Sequence, residues 1–519
     1  MKKFILVFVL IIFCTTNAQT WNSNVGAIIY KKCSNCHYPG GIGPFSLRSY
    51  QDAVANKASI KDAVTNKRMP PWPADPSYQR YAHENFLYQS EIQAISSWVN
   101  NNTPEGTGIA PMLPVLPSGT QLGTPDQSII IPTFTSTATN TDVYQTFPFR
   151  SGLTVDKYLN GLEIIPGNNA IVHHVIIYKD MSNWAFTRDS ALNSPEPGFK
   201  SSGGGPASQT SNMIGAWAPG VQAVQYPTNM GIKLEANTNY MIEIHYPKGS
   251  VGQQDSTRIN FHYLDNPSQA RELLVGFIVT HTAQDVAPFY IPANTVKTFH
   301  TKVPLSFGVD FSLLSVFPHM HLIGQQFDIF ATKNDTDTIP LIKINKWDFN
   351  WQFNYFFRRP IRIKNGSEIE GIASYDNTSN NINNPSNPPQ IVLAGEETTN
   401  EMMIGGFTFM IYNQGDEDIL IATDTMASDT LQTVNINNFE TKNNFSLFPN
   451  PTQDVLNIYF KSFYKGKIQV YDVSGKLLIE KIIASTSETI DVTTLSKGIY
   501  YFKTISEEGI FNSKKFIIN

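Results

Sequence analysis

Apolar positions along most of this chain gather in short β-branched and aromatic runs. IVHHVIIY, YMIEIHY, RINFHY, ELLVGFIVT, IEGIASY and IGGFTFMIY are each bounded by turn residues, with no sustained helical period competing. They predict strands from about residue 129 to 426, built into a β-sandwich or a pair of them. Residues 19–105 read differently, as short helical pieces and loops. The clearest helix is YQSEIQAISSWVNNN, where Ile92, Ile95 and Val99 recur at helical spacing and Ser90 is placed to cap. Residues 106–128 are dense in Pro and Gly and 427–443 are polar, so both read as linkers. The remainder, 444–519, is a separate small β unit in which DVSGKL signals a hairpin turn. The expected fold is therefore multidomain: a small all-α domain, all-β sandwich domains, and a small C-terminal β-sandwich.

Composition changes this picture little. The chain has 519 residues, 16% charged and 12% aromatic, with a formal net charge of -5. That suits β-rich globular domains, and the lack of a Lys/Arg run argues against a nucleic-acid partner. The N-terminus MKKFILVFVLIIFCTTNAQT does matter. Two lysines, an apolar run from Phe4 to Phe13 and small residues ending at Ala18 have the order of a secretory signal over 1–18. The apolar run is far short of the ~20 residues that span a bilayer, and no other segment is long and apolar enough. Cys14 offers a lipid-anchored alternative, but bulky Phe13 stands where a small residue belongs. With Cys14 removed alongside the signal, two cysteines remain, so the domains rely on their cores rather than on disulfides.

Those two cysteines lie in KKCSNCHYPGG. A C-x-x-C-H run reads as covalent attachment of haem c: the thiols of Cys33 and Cys36 bond the macrocycle and His37 becomes an axial ligand. A disulfide would not need His37, and a zinc half-site would need a second ligand pair, whereas the next histidine is His83. Met69, stiffened by Pro70 and Pro71, is the expected sixth ligand, with His83 its rival. The segment resembles a small class I cytochrome c domain: haem motif, Met loop, then a closing helix with Trp98.

Two more constellations carry metal-ligand chemistry. His173 and His174 are adjacent in one predicted strand and His245 stands in another. Three imidazoles suit copper or zinc, but adjacent strand residues point to opposite faces unless the strand is bulged or twisted. Glu243 shares a face with His245 and reads as a strand-edge carboxylate. Further on, His319 and His321 are spaced to share a strand face, and Met402 or Met403 could add a soft thioether ligand, although methionine more often fills a core.

The order H-H, IHY, H-x-H, NEMM resembles the copper type II, ascorbate-dependent monooxygenases, the family of peptidylglycine α-hydroxylating monooxygenase and dopamine β-hydroxylase. The resemblance implies two jelly-roll-like sandwich domains, 129–272 and 273–426, each holding one copper ion across a solvent-filled cleft. It implies that His173, His174 and His245 hold the electron-accepting copper. His319, His321 and Met402 would form the catalytic site, Met402 being chosen over Met403 because it follows Glu401. The animal members' disulfides and substrate-fixing residues are missing here. The C-terminal unit, with FSLFPNPTQDVLNI and LSKGIYYFK, resembles the sorting domains of the type IX secretion machinery.

Together these imply a secreted monooxygenase that hydroxylates a C–H bond of a small-molecule or peptide substrate with O2. Electrons from an ascorbate-like reductant or redox protein would pass from the haem to the all-histidine copper and on to the His-His-Met copper. The competing readings are a non-enzymatic copper-binding or electron-transfer protein, and zinc hydrolysis, which would leave the haem without a role.

Overall fold

The structure, a computed structural model, describes residues 19–421 and 445–519, apart from 40, 42, 115–119, 193, 202–210, 220, 222, 284, 334–336, 396, 473–475 and 507–510. The expected signal segment, Cys14 and the linker at 427–443 lie outside the described residues. The chain divides into two compact units, Met1–Thr423 and Asp424–Asn519.

The first unit begins with helices Gly26–Lys32, Tyr50–Ala55, Lys57–Thr65 and Gln89–Asn100 around a core of Trp21, Ile29, Ile95 and Trp98. The last helix buries Ile92, Ile95 and Trp98 as its spacing requires. Ser90 does not cap it. Tyr88 holds the cap position, and its backbone N–H donates to the Glu91 carboxylate at 2.7 Å, the reaching-back half of a capping box. The segment closes on itself where Trp21 and Asn22 N–H donate to Pro104 and Glu105 carbonyls.

Residues 72–84 leave this helical core. Ala74 bridges Ile344 and Tyr81 bridges Phe357, and both side chains are buried in the core of the second β region. A stretch expected to belong to the helical domain thus serves as a strap over its neighbour.

The β region contains the predicted strands in two layered cores. A five-stranded sheet runs Phe199–Ser201, Val143–Arg150, Asn239–Tyr246, His174–Asp180, Ser211–Trp217. Asn239–Tyr246 lies at its centre, buried along its whole length. It packs against Lys157–Ile165 and neighbours of a nine-stranded sheet, with Ile242, Ile244, Leu159 and Leu162 in one core. The second core lies between a four-stranded sheet (Thr295–Pro304, Glu368–Asn377, Gly324–Lys333, Asp337–Ile344) and the far arm of the nine-stranded sheet. That sheet is continuous across both cores, because Met230–Leu234 pairs in parallel with Arg271–Thr280. Among the described residues an α-helix, Trp184–Leu192, interrupts the β region, which the run pattern did not predict.

The C-terminal unit has its own core, including Leu456, Ile468, Val470 and Phe502. Its five strands form one hydrogen-bonded sheet rather than two separate ones; a register shift between Tyr459 and Tyr464 bends the long strand Val455–Tyr471 so that both its halves reach the same core. Val455–Tyr471 and Leu477–Asp491 pair across the predicted hairpin turn.

Candidate metal centres

The first cluster forms where the central strand meets the start of a neighbour. His245 and His174 are direct partners in the antiparallel ladder. His173 precedes the strand, which begins at His174, and its N–H donates to the His245 carbonyl at 2.9 Å. The alternation rule therefore never applies to the adjacent pair: His173 leaves the preceding turn and is free to rotate inward.

The His173 Nδ1 lies 3.2 Å from both the His174 and the His245 Nδ1. Three nitrogens bound tetrahedrally at ~2.0–2.1 Å from one ion stand about 3.3 Å apart, so the donor set fits one metal. His245 Nε2 sits 3.1 Å from Asp142 Oδ2, an outer contact that directs Nδ1 inward. Tyr144 stacks on the His245 ring at 4.3 Å. Burial, then the neighbouring imidazoles, holds His174 far below its ordinary pKa; burial brings His173 down to about 4. Both are neutral near neutral pH, the form that ligates metal.

Glu243 does not join this cluster. It is fully buried on the central strand, not at an edge, and its carboxylate accepts from Ser201 and Thr146 hydroxyls.

The second cluster is assembled from loops. His319 ends the strand Phe311–His319 and His321 lies beyond it, so they do not share a strand face as expected. Their rings nevertheless approach to 5.0 Å. The His319 Nδ1–H donates to Gln352 Oε1, and the His321 Nδ1–H donates to the Asn400 carbonyl at 3.1 Å, leaving both Nε2 atoms for a ligand. Burial lowers His319 to about 4 and His321 to about 3.

Glu401 ties this loop to the methionine pair. Its buried carboxylate accepts the N–H groups of His321 and Ile323 at 2.8 Å and of Met402 at 3.2 Å. Burial pushes its pKa up to about 8 while those N–H bonds pull it back down. Tyr375 donates its hydroxyl to the Met402 carbonyl. Met403 is fully buried in the second core, whereas Met402 stands outside that cluster.

The two clusters face each other. Phe349 lies 6.0 Å from the His173 ring, nearly parallel, and 6.1 Å from the His321 ring, nearly perpendicular. Phe349 thus borders both clusters. Asp142, Gln352, Phe349 and the N–H-accepting role of Glu401 were missed in the sequence. Glu401 alone left a sign, through its place before Met402.

In the helical part, Cys33 caps the helix Gly26–Lys32, and the His37 N–H donates to the Cys33 carbonyl. Both thiols are free and half-buried; burial pushes Cys33 up to about 12 and raises Cys36. The His37 Nδ1–H donates to the Phe45 carbonyl at 3.0 Å, leaving Nε2 as the free donor atom. Gly43 keeps that ring's flank open, since a Cβ there would lie 2.6 Å from His37 Nδ1. These are two free thiols and one imidazole with an available Nε2, the groups that the C-x-x-C-H motif calls on. Met69 is half-buried, and His83 is exposed with φ 58.

Three imidazoles converging inside a β-sandwich form a cluster able to hold a metal ion. Residues 128–251 match the model of the copper type II ascorbate-dependent monooxygenase N-terminal domain, and 446–519 match the secretion system C-terminal sorting domain. At family level the chain carries a copper-dependent monooxygenase domain, which suggests O2 and an organic substrate, and a tail that directs export through type IX secretion. Among the described residues no helix is long and apolar enough to cross a membrane. No curated protein matches the chain.

Solved structures resemble it only slightly. An immunoglobulin-like β-sandwich protein of the DUF3244 family from Bacteroides vulgatus is 16% identical over 15% of this chain and 85% of its own, with TM-score 0.14. An α-L-fucosidase described as putative, from Bacteroides ovatus, is 7% identical over 60% and 43%, again with TM-score 0.14. Neither carries an argument about this chain.

Proposed function

We propose that this protein is an exported copper monooxygenase that hydroxylates a C–H bond, with a c-type haem as its electron inlet. Copper is held by His173, His174 and His245 in one site and by His319, His321 and Met402 in the other. Haem is held by Cys33, Cys36 and His37, with Met69 as sixth ligand. The observation that carries the reading is the convergence of three imidazoles, with His173 Nδ1 3.2 Å from the Nδ1 atoms of both His174 and His245, in the segment matched by the monooxygenase family.

The bound metals supply one-electron redox chemistry and the place where O2 reacts. Hydroxylation converts RH and O2 to ROH and water, consuming two electrons and two protons, so an external reductant such as ascorbate or a redox protein is required. The chain's residues hold and orient. Asp142 and Gln352 fix the orientation of one imidazole in each cluster, and Glu401 keeps the His321 and Met402 backbones together.

Metal and haem stoichiometry of the mature protein tests this. Two coppers and one haem per chain, with O2-dependent oxygen incorporation into a C–H substrate, are expected. Copper in one site alone, or zinc in the first, would overturn it.

A further inference from the structure

The loop Asp348–Phe353 is unusual in touching three regions at once. At one end Phe349 contacts His173 and His321. In its middle Gln352 accepts from His319. At the other end Phe353 stacks on Trp72 at 6.3 Å and 26°, while Trp351 stacks on Phe353 at 6.5 Å and 18°. The loop is held in shape by its own bonds: the Trp351 N–H donates to the Asp348 carbonyl at 3.0 Å, and Gln352 Nε2 donates to the Phe349 carbonyl at 2.8 Å.

Trp72 comes from the N-terminal helical part, three residues after Met69. The strap that carries it is pinned to the second β region. The Asp75 N–H donates to the Lys343 carbonyl at 2.8 Å, the Tyr81 hydroxyl to the Leu341 carbonyl at 2.7 Å, and Arg358 pairs with Glu84 at 3.1 Å. A near-parallel column of Trp72, Phe353 and Trp351 thus begins beside the Met69 loop. It ends on the turn whose Phe349 lies against both histidine clusters.

Electron transfer weakens steeply across empty space or saturated side chains, and closely spaced aromatic rings shorten each jump. The step from Trp351 to Phe349 crosses one residue of the same loop, Asn350. We propose that Trp72, Phe353, Trp351 and Phe349 form the path by which an electron passes from the N-terminal part to the histidine clusters. The proposal rests on the haem and copper reading above. One electron leaves a reduced haem held by Cys33, Cys36 and His37, which is oxidised. One Cu(II) held by His173, His174 and His245 is reduced to Cu(I). No bond or proton moves.

The test uses the haem- and copper-loaded full chain, without O2 or substrate. The haem is reduced by a light flash with a flavin photoreductant. Its reoxidation is followed by haem absorbance, and loss of Cu(II) by its paramagnetic resonance signal. Trp72→Leu and Phe349→Leu should each slow reoxidation at least tenfold, and Trp72→Leu, which touches no copper ligand, should leave the resting copper signals unchanged. Trp72→Phe, which keeps an aromatic ring, should recover most of the rate. Wild-type rates in both leucine variants, or a Trp72→Phe variant as slow as Trp72→Leu, would overturn the path while leaving the two-copper, one-haem reading intact. A chain that takes up no haem would overturn both.

Discussion

The two histidine clusters solve one problem by opposite means. The first is written into a β-ladder: His174 and His245 are register partners, and His173 is fixed by a backbone bond to His245. Its geometry follows from the sheet, with Asp142 added outside. The second has no such frame. His319 ends a strand, His321 follows it, and their orientation depends on Gln352, the Asn400 carbonyl and the buried Glu401. A site built on a ladder should tolerate loss of an outer contact. A site built on loops should depend on its supports.

The largest expected effect removes a ladder ligand. His245→Ala should release copper from the first cluster, weakening its affinity by more than the ~100-fold upper range of outer-contact changes. Copper content should then fall by one equivalent with the second cluster still loaded; loss of both would mean the sites are not independent. Next, Glu401→Ala should strand the buried N–H groups of His321, Ile323 and Met402. Removing their acceptor should cost about 3 kcal/mol of stability or more. Urea unfolding of the metal-free protein measures it, and an unchanged midpoint would contradict the support role.

The comparison itself is sharpened by pairing Gln352→Ala with Asp142→Ala. Both remove one outer contact from one imidazole, with losses of about 10–100-fold in copper affinity. Titration should show Gln352→Ala near the upper end and Asp142→Ala near the lower. The reverse order would mean the ladder does not stiffen its site. The last test is with pH. His173 and His319 have pKa values lowered from 6.5 to about 4, so unfolded chains take up protons that folded ones refuse. Stability of the metal-free protein should fall as pH drops from 6.5 toward 4 and be indifferent to these groups above 6.5. Melting temperatures across that range check the sign.

What was legible in the sequence follows the same divide. Strand runs and ligand histidines declare themselves locally, by β-branched residues, turn boundaries and a fixed motif order. Supports do not. Gln352 reaches His319 across 33 residues, and Tyr81 reaches Leu341 across 260, with nothing in either local pattern to announce the partner. Hence the 72–84 strap was assigned to the helical domain by position alone. The alternation rule raised a difficulty for His173 and His174 that vanishes once the strand starts at His174. The helix Trp184–Leu192 was missed because one turn-rich stretch inside a β region gives a weak periodic signal.

The pairing of Met230–Leu234 with Arg271–Thr280 has a mechanical consequence. Two domains joined by a flexible connection can rock apart to admit a substrate. Here rocking would have to break the pairing of Met230, Gly231 and Ile232 with Arg271, Glu272 and Leu273. The two halves are therefore coupled through one shared sheet, and any motion of one against the other strains that ladder.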